Sequence, residues 1–499
     1  MMWLVFVVVL ATLAFLIYKH DFFRLPGLSR FTPIAFFSLK IVAGIGLWAV
    51  YSFYYPDRQY ADIWKYFDDS AIMYEAIHDN PSDYFKMVSG IEIDERIDTN
   101  YFRQMNHWHQ QFENNLFNDS HTIIRFNAIV RLISFGNYHT HSLLMSFLAF
   151  IGLCAIYRWI YTWLYQWKRV VAFVLFVSPS LLFWSSGVLK EGILLLTIGL
   201  LIYHAWKYAE DRKKRRLLWI ALCLFLLAIT KLYMLAFIVP ALFIGLLLRQ
   251  KPLYAKLKVF GLCIGLSAAS IMIHKLVPRF SPFKIIASKQ NDFLNLARGG
   301  TYLVSNTRVM YLRPDQHNRL VKIGPTNFKI EDGTNFYYWN IADNFADTVF
   351  VANSVDTSMY AVLTDNPAAG SLLQNKELSP TPLSFLKAIP TAILNTTIRP
   401  FPWELSQLMV LPSIGENLLV LFLLLAMIVF YKRTSAKSTI WFCIVFSVLT
   451  LIVIGLTTPV LGAIVRYRIT AIPFLVFAIL LHTNKEKLLK KLPFLAKIL

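Results

Sequence analysis

The sequence predicts an all-α polytopic membrane protein with about eleven spans and two large extracytoplasmic segments. Three observations carry this. First, 57% of the 499 residues are hydrophobic and 16% are charged, and the mean hydropathy is +0.51, unlike a soluble chain. Second, apolar runs of roughly 16 to 24 residues recur, the length that crosses a hydrocarbon core as a helix. The alternation of a membrane barrel is missing, and lipid leaves helices as the other way to satisfy the backbone. Third, Lys and Arg gather in alternate connections.

In chain order the spans are 2–18, 33–55, 141–163, 170–186, 191–207, 216–231, 232–249, 258–276, 415–431, 439–457 and 461–482. The fourth to seventh are short because they pair up within shared apolar stretches, with kink points at Pro179 and Pro240. The first has no basic stretch before it and no small-residue cleavage pattern after it, so it reads as a retained helix. The chain divides into an N-terminal hairpin (1–55), a first outer loop (56–140), a central bundle (141–276), a second outer segment (277–414) and C-terminal helices with a basic tail (415–499).

Basic clusters follow the first, third, fifth, seventh, ninth and last spans: Lys19 to Arg30, Lys168-Arg169, Arg212 to Arg216, Arg249 to Lys258, Lys432 to Lys437 and Lys485 to Lys491. All six share one face if the N-terminus lies outside, and that face is the cytoplasm, with the C-terminus in it. The net charge of +20 and pI near 9.6 are thereby explained without nucleic acid. The charge is spread over loops facing an anionic leaflet, not gathered in one domain. The four cysteines, Cys154, Cys223, Cys263 and Cys443, all fall in spans and read as small core residues, with no disulfide or metal spacing.

The outer segments carry the polar chemistry. Ile63, Trp64, Phe67, Ile72, Met73 and Ile77 recur at helical spacing over 61–78, and Asn80-Pro81-Ser82 ends that helix. A second amphipathic stretch, 122–135, suits the membrane interface. In the second segment, Gly299-Gly300 and Asp332-Gly333 signal turns, 302–304 and 348–351 read as short strands, and 380–398 as an interfacial helix. The segment is expected to cap the bundle rather than fold as an independent domain.

Four constellations stand out. Asp68 and Asp69, with Asp62 and Glu75 nearby, offer either a general base beside the membrane or a solvated acidic face. Adjacent helical residues point about 100° apart, so one of Asp68 and Asp69 is the working group, while Asp62 and Asp69 share a face. Lys190-Glu191, in a tight connection on the outer side, read as a phosphate ligand with its counter-charge or as an interfacial salt bridge. Arg466 and Arg468 suit phosphate recognition or headgroup anchoring, and Lys231 adds a fourth basic group at the same level. His107-Trp108-His109 lacks a third metal ligand.

Phe67-Asp68-Asp69-Ser70-Ala71-Ile72-Met73-Tyr74-Glu75-Ala76, the 178–192 connection, and Arg466-Tyr467-Arg468-Ile469 with Pro473 resemble segments of the GT-C class of integral-membrane glycosyltransferases and of bacterial polysaccharide-assembly proteins. Here the acidic loop follows the second span, where many members place it after the first. The resemblance implies a GT-C-like fold in the bacterial cytoplasmic membrane. It implies an inverting transfer of a sugar from a polyprenyl-phosphate donor to a glycan, lipid or protein acceptor on the outer face. Asp69 or Asp68 would be the base, and Lys190, Arg466 and Arg468 would hold the leaving phosphate, with no metal required. The alternatives are a polysaccharide polymerase or ligase, and a lipid-linked sugar transporter.

Overall fold

The computed structural model describes residues 1–55, 58, 61–108, 119–249, 252–277, 281–305, 308–325, 327–331, 336–340, 348–351, 360–366, 368–404 and 410–497. Helices dominate. Two apolar helices, α1 (Met2–Lys19) and α2 (Thr32–Ala49), open the chain. The segment expected to form the first outer loop holds α3 (Asp62–Asp79), α4 (Pro81–Ser89), α5 (Glu95–Asn100) and α6 (Ser120–Ser134). The central bundle contains α7 (Tyr138–Leu164), α8 (Lys168–Phe176), α9 (Pro179–Trp184), α10 (Lys190–Asp211), α11 (Arg215–Lys231), α12 (Tyr233–Leu247) and α13 (Pro252–Leu276). After α14 (Pro282–Arg298) comes a sheet, then α15 (Pro382–Thr397), α16 (Leu411–Val429), α17 (Lys437–Thr457), α18 (Leu461–Tyr467), α19 (Ile472–His482) and α20 (Lys485–Lys491).

Among the described residues, seven helical stretches are long and apolar enough to cross a membrane, and α18 with α19, bent by 60°, makes an eighth. Two of the seven, Tyr138–Phe176 and Arg215–Leu247, each cover two of the predicted spans. Phe176 lies 5.7 Å from Phe150 and 6.2 Å from Tyr157, ring to ring. The Ser186 carbonyl accepts from the Ser142 and Ser146 hydroxyls. The chain after Trp167 therefore runs back along α7. Gly152 and Gly199 let α7 and α10 touch backbone to backbone, since a β-carbon on either would collide with a carbonyl of the facing helix.

The basic connections meet at one end. Arg158 donates to the carbonyls of Asp21, Phe22 and Arg24. Lys485 donates to Gln166 O (2.6 Å), the Lys432 amide to His482 O (2.8 Å), and the Ser438 hydroxyl to Gly245 O.

The helices expected at 61–78, 122–135 and 380–398 are α3, α6 and α15. The second outer segment holds more β-structure than its two expected strands: a seven-stranded antiparallel sheet of order β3-β4-β7-β1-β2-β5-β6. Its strands are β1 (Gly300–Ser305), β2 (Arg308–Leu312), β3 (Leu320–Lys322), β4 (Asn327–Ile330), β5 (Phe336–Asn340), β6 (Thr348–Val351) and β7 (Tyr360–Asn366). Leu303, Met310, Leu312 and Ile330 pack on one face, and Tyr302, Val309 and Tyr311 on the other. The Tyr311 hydroxyl reaches the carbonyl of Asn295, tying the sheet to α14. In turn α14 packs with α15 and α17 through Ala287, Phe385, Ala392 and Leu456.

Candidate functional site

The site is built at the end of the bundle opposite the basic connections, where α3 lies over the start of α10 and over α18. The approach to α10 is a packed polar turn. Lys40 of α2 is fully buried and donates to Ser185 O (2.9 Å), Ser185 Oγ (2.6 Å) and Ser186 Oγ (3.1 Å). Such a cation inside a bundle persists only with partners of this kind. Gly44 leaves room for the Ser186 carbonyl. This clamp sets the position of Lys190 and Glu191 in the first turn of α10.

Arg466 is the hub. Its Nε donates to Glu191 Oε1 (2.8 Å), its Nη2 to Glu191 Oε2 (3.2 Å) and its Nη1 to Asp62 Oδ2 (2.6 Å). Lys190 donates to Asp119 Oδ1 (2.5 Å) and Ser120 Oγ (3.1 Å), with its ammonium 5.3 Å from the Tyr66 ring. The Lys231 ammonium sits 4.6 Å from the Tyr467 ring and 5.7 Å from that of Tyr233. No carboxylate among the described residues lies within ion-pair distance of it. The structure thus gathers four of the seven expected residues: Lys190, Glu191, Lys231 and Arg466.

The other three are used elsewhere. Arg468 is buried and donates to Thr396 O (3.1 Å), Arg399 O (2.8 Å) and Asn417 Oδ1 (2.7 Å). It fastens the segment after α15 to α16, where a phosphate contact was expected. Asp68 turns away from the cluster and receives Arg58 through both oxygens (2.6 and 2.5 Å). Asp69 is buried, and its two oxygens accept the backbone N–H groups of Asn106 and His107 at 2.9 Å each. Burial pushes its carboxyl up to about 6, against the pull of those two donors. Asp69 is a clamp on the 105–108 loop rather than an exposed base.

The acid on the cations is Asp62, one α-helical heptad before Asp69 and on the same face. Burial raises its carboxyl, but Arg466 and then His107 and Lys65 outweigh that and hold it below the ordinary carboxylate range. The heptad spacing was the sequence signal for it. Asp119, Tyr66 and Tyr467 carried none. His109 lies outside the described residues, and among those described no three His, Cys, Asp or Glu side chains converge as a metal site.

A cavity of about 700 Å³ opens beside this cluster, between α2, α9, α16 and α18. Leu182, Phe183, Val460, Leu461 and Val465 give it apolar walls, and Arg466, Tyr467, Ser180 and Ser413 also line it. A mostly apolar slot with a guanidinium in its wall suits an amphiphile with an anionic head. No family model matches this chain, and neither a curated protein nor a solved structure matches it.

Proposed function

We propose that this chain is a GT-C-type membrane glycosyltransferase, passing a sugar from a polyprenyl-phosphate carrier to an acceptor hydroxyl on the outer face of the membrane. The observation that carries the reading is the mostly apolar cavity that Arg466 lines. The cavity takes the first isoprene units, and Arg466 and Lys231 take the phosphate. In the reaction, the acceptor oxygen attacks the anomeric carbon and loses its proton to Asp62. The bond from that carbon to the phosphate oxygen breaks, and its electron pair stays on the phosphate, beside the cations.

The reading places the site outside and the six basic connections in the cytoplasm, with the N-terminus out and the C-terminus in. It uses eleven crossings: α1, α2, α7, α8 with α9, α10, α11, α12, α13, α16, α17, and α18 with α19. The doubling back after Trp167 supports this count, as do the Thr122 hydroxyl on Ile229 O and the Ser438 hydroxyl on Gly245 O. They bring the end of α11 beside α6 and the end of α12 beside the start of α17, as two separate crossings require.

The test is turnover of radiolabelled polyprenyl-phosphate sugars by the purified protein in lipid, screened across several sugars. Transfer is expected, and Arg466→Ala is expected to lower kcat/KM by about a hundredfold or more, the usual loss on removing one charge-stabilising donor. No transfer with any sugar in the panel, from protein shown to be folded, would reject the reading.

A further inference from the structure

We infer that Asp62 and the phosphate of a lipid-linked substrate compete for the same edge of Arg466, so that substrate binding displaces Asp62 and frees it to act as the base. The inference rests on the lipid-phosphate reading above and deepens it.

Arg466 has two carboxylate partners, and they are held very differently. Glu191 takes the Nε–Nη2 edge with both oxygens, and its side chain is 2% exposed. Asp62 takes Nη1 with one oxygen, and its side chain is 30% exposed. Glu191 sits in the first turn of α10, where the helix dipole favours a carboxylate and the Lys40 clamp fixes the backbone before it. Asp62 is the first residue of α3. Of the two, Asp62 is the one that can leave without unpacking the bundle.

Charge balance requires that something leave. The paired groups together with Lys231 make three cations, Lys190, Lys231 and Arg466, and three carboxylates, Asp62, Asp119 and Glu191, and Lys65 acts on Asp62 as a further cation without pairing to it. A phosphate brought into this balanced, poorly hydrated cluster is an uncompensated charge unless a carboxylate gives up its cation. Arg466 lines the cavity, so its partner is the one an incoming headgroup meets. Lys231, with tyrosine rings beside it and, among the described residues, no carboxylate within ion-pair distance, draws the phosphate to that spot. A phosphate bridging Lys231 and Arg466 then occupies the place of the Asp62 oxygen.

The exchange also resolves a chemical conflict. A carboxylate paired with a guanidinium is a weak base, and Arg466 is the largest of the charges, ahead of His107 and Lys65, that hold the Asp62 carboxyl low. Once the phosphate takes Arg466, Asp62 regains proton affinity beside the leaving group. Proton acceptance becomes available only with donor bound.

The experiment measures binding of a fluorescent polyprenyl monophosphate, and of the uncharged polyprenol, to the full chain in lipid nanodiscs. Asp62→Asn and Asp62→Ala are compared with the unmodified protein, and monodispersity on gel filtration confirms each fold. Both variants are expected to bind the phosphate roughly two- to fivefold more tightly, the worth of one competing ion pair. Binding of the polyprenol is expected to stay unchanged, and sugar transfer to be lost. Equal or weaker phosphate binding in both variants overturns the exchange and leaves the lipid-phosphate reading standing. Phosphate bound no better than polyprenol by any form overturns both. Tighter phosphate binding with no sugar transfer by the unmodified protein supports the exchange and removes only the transferase reading.

Discussion

Asp69 shows how one atom's surroundings decide a role that residue type leaves open. Spacing and composition favour Asp68 or Asp69 as the acid, with Asp62 nearby on the face of Asp69. In the structure each meets a different partner: Arg58, two backbone amides and Arg466. Asp69 is the one raised by burial, from 3.8 to about 6. Because its folded value lies above its unfolded value, the folded state binds the extra proton between those limits. Its contribution to stability is therefore fully present below 3.8 and is lost as pH rises through about 6. Asn at this position cannot titrate, so it cancels every other group in a difference measurement. The gap in melting temperature between the unmodified protein and Asp69→Asn should widen as pH falls from about 7.5 to about 4.5, by the equivalent of on the order of 2–3 kcal/mol. Parallel melting curves across that range would show that burial of Asp69 is not what sets its titration.

At the scale of elements, close helix contact does the positioning. The first turn of α10 carries Lys190 and Glu191, and α10 is placed by its contact with α7. That contact depends on Gly152 and Gly199, where an added β-carbon would strike Leu195 O and Gly152 O. Helix backbones approach this closely in membranes when small residues line the seam. Gly199→Leu should therefore lower thermal stability in detergent by about 1–3 kcal/mol, the usual cost of overpacking, and depress activity with it. Gly46 of α2 is the control, because an added β-carbon there meets nothing within 4 Å. Gly46→Ala should be neutral or slightly stabilising through helix propensity. Equal effects of the two substitutions would refute the close-contact account. The elements themselves were unevenly legible in the sequence. Helices α3, α6 and α15 followed from apolar periodicity and stop signals, which are local. The sheet was read as two strands, within β1 and at β6; its central pair, β1 and β2, buries both faces, so β2 offered no alternation to read. Tyr302, Leu303, Val309, Met310 and Tyr311 thus form apolar runs without alternation. Nor does anything local announce that Arg468 serves the α15–α16 junction while Arg466, two residues earlier, serves the cluster. Both pairings join parts of the chain that only the packed bundle brings together.

For the whole molecule, hydropathy and Lys/Arg bias were legible because both are properties of short windows. The Asp62–Arg466 pair, 404 residues apart, was not. The prediction at this scale is the number of times the chain crosses. Tyr138–Phe176 is one continuous apolar stretch of 39 residues. Laid out straight it would span about 58 Å, nearly twice a hydrocarbon core. The contacts of Phe176 with Phe150 and of Ser186 with Ser142 instead require a reversal near Tyr165–Trp167. The exposed side chain of Gln166 lies at that reversal, and its backbone carbonyl accepts from Lys485 of the basic tail. Cysteine labelling with a membrane-impermeant maleimide can read this directly. Native Cys154, Cys223 and Cys443 are buried, so background labelling should be low once Cys263 is replaced by serine. Ser89→Cys, exposed in the first outer loop, should label in intact spheroplasts. Ser435→Cys, exposed in the connection between α16 and α17, should label only in inverted vesicles. The informative position is Gln166→Cys, which should label with Ser435→Cys and not with Ser89→Cys. Labelling from neither side would place Gln166 within the bilayer, make this segment a re-entrant hairpin and reduce two crossings to none. The map would then have nine crossings in place of eleven, with the elements after the hairpin keeping their orientation.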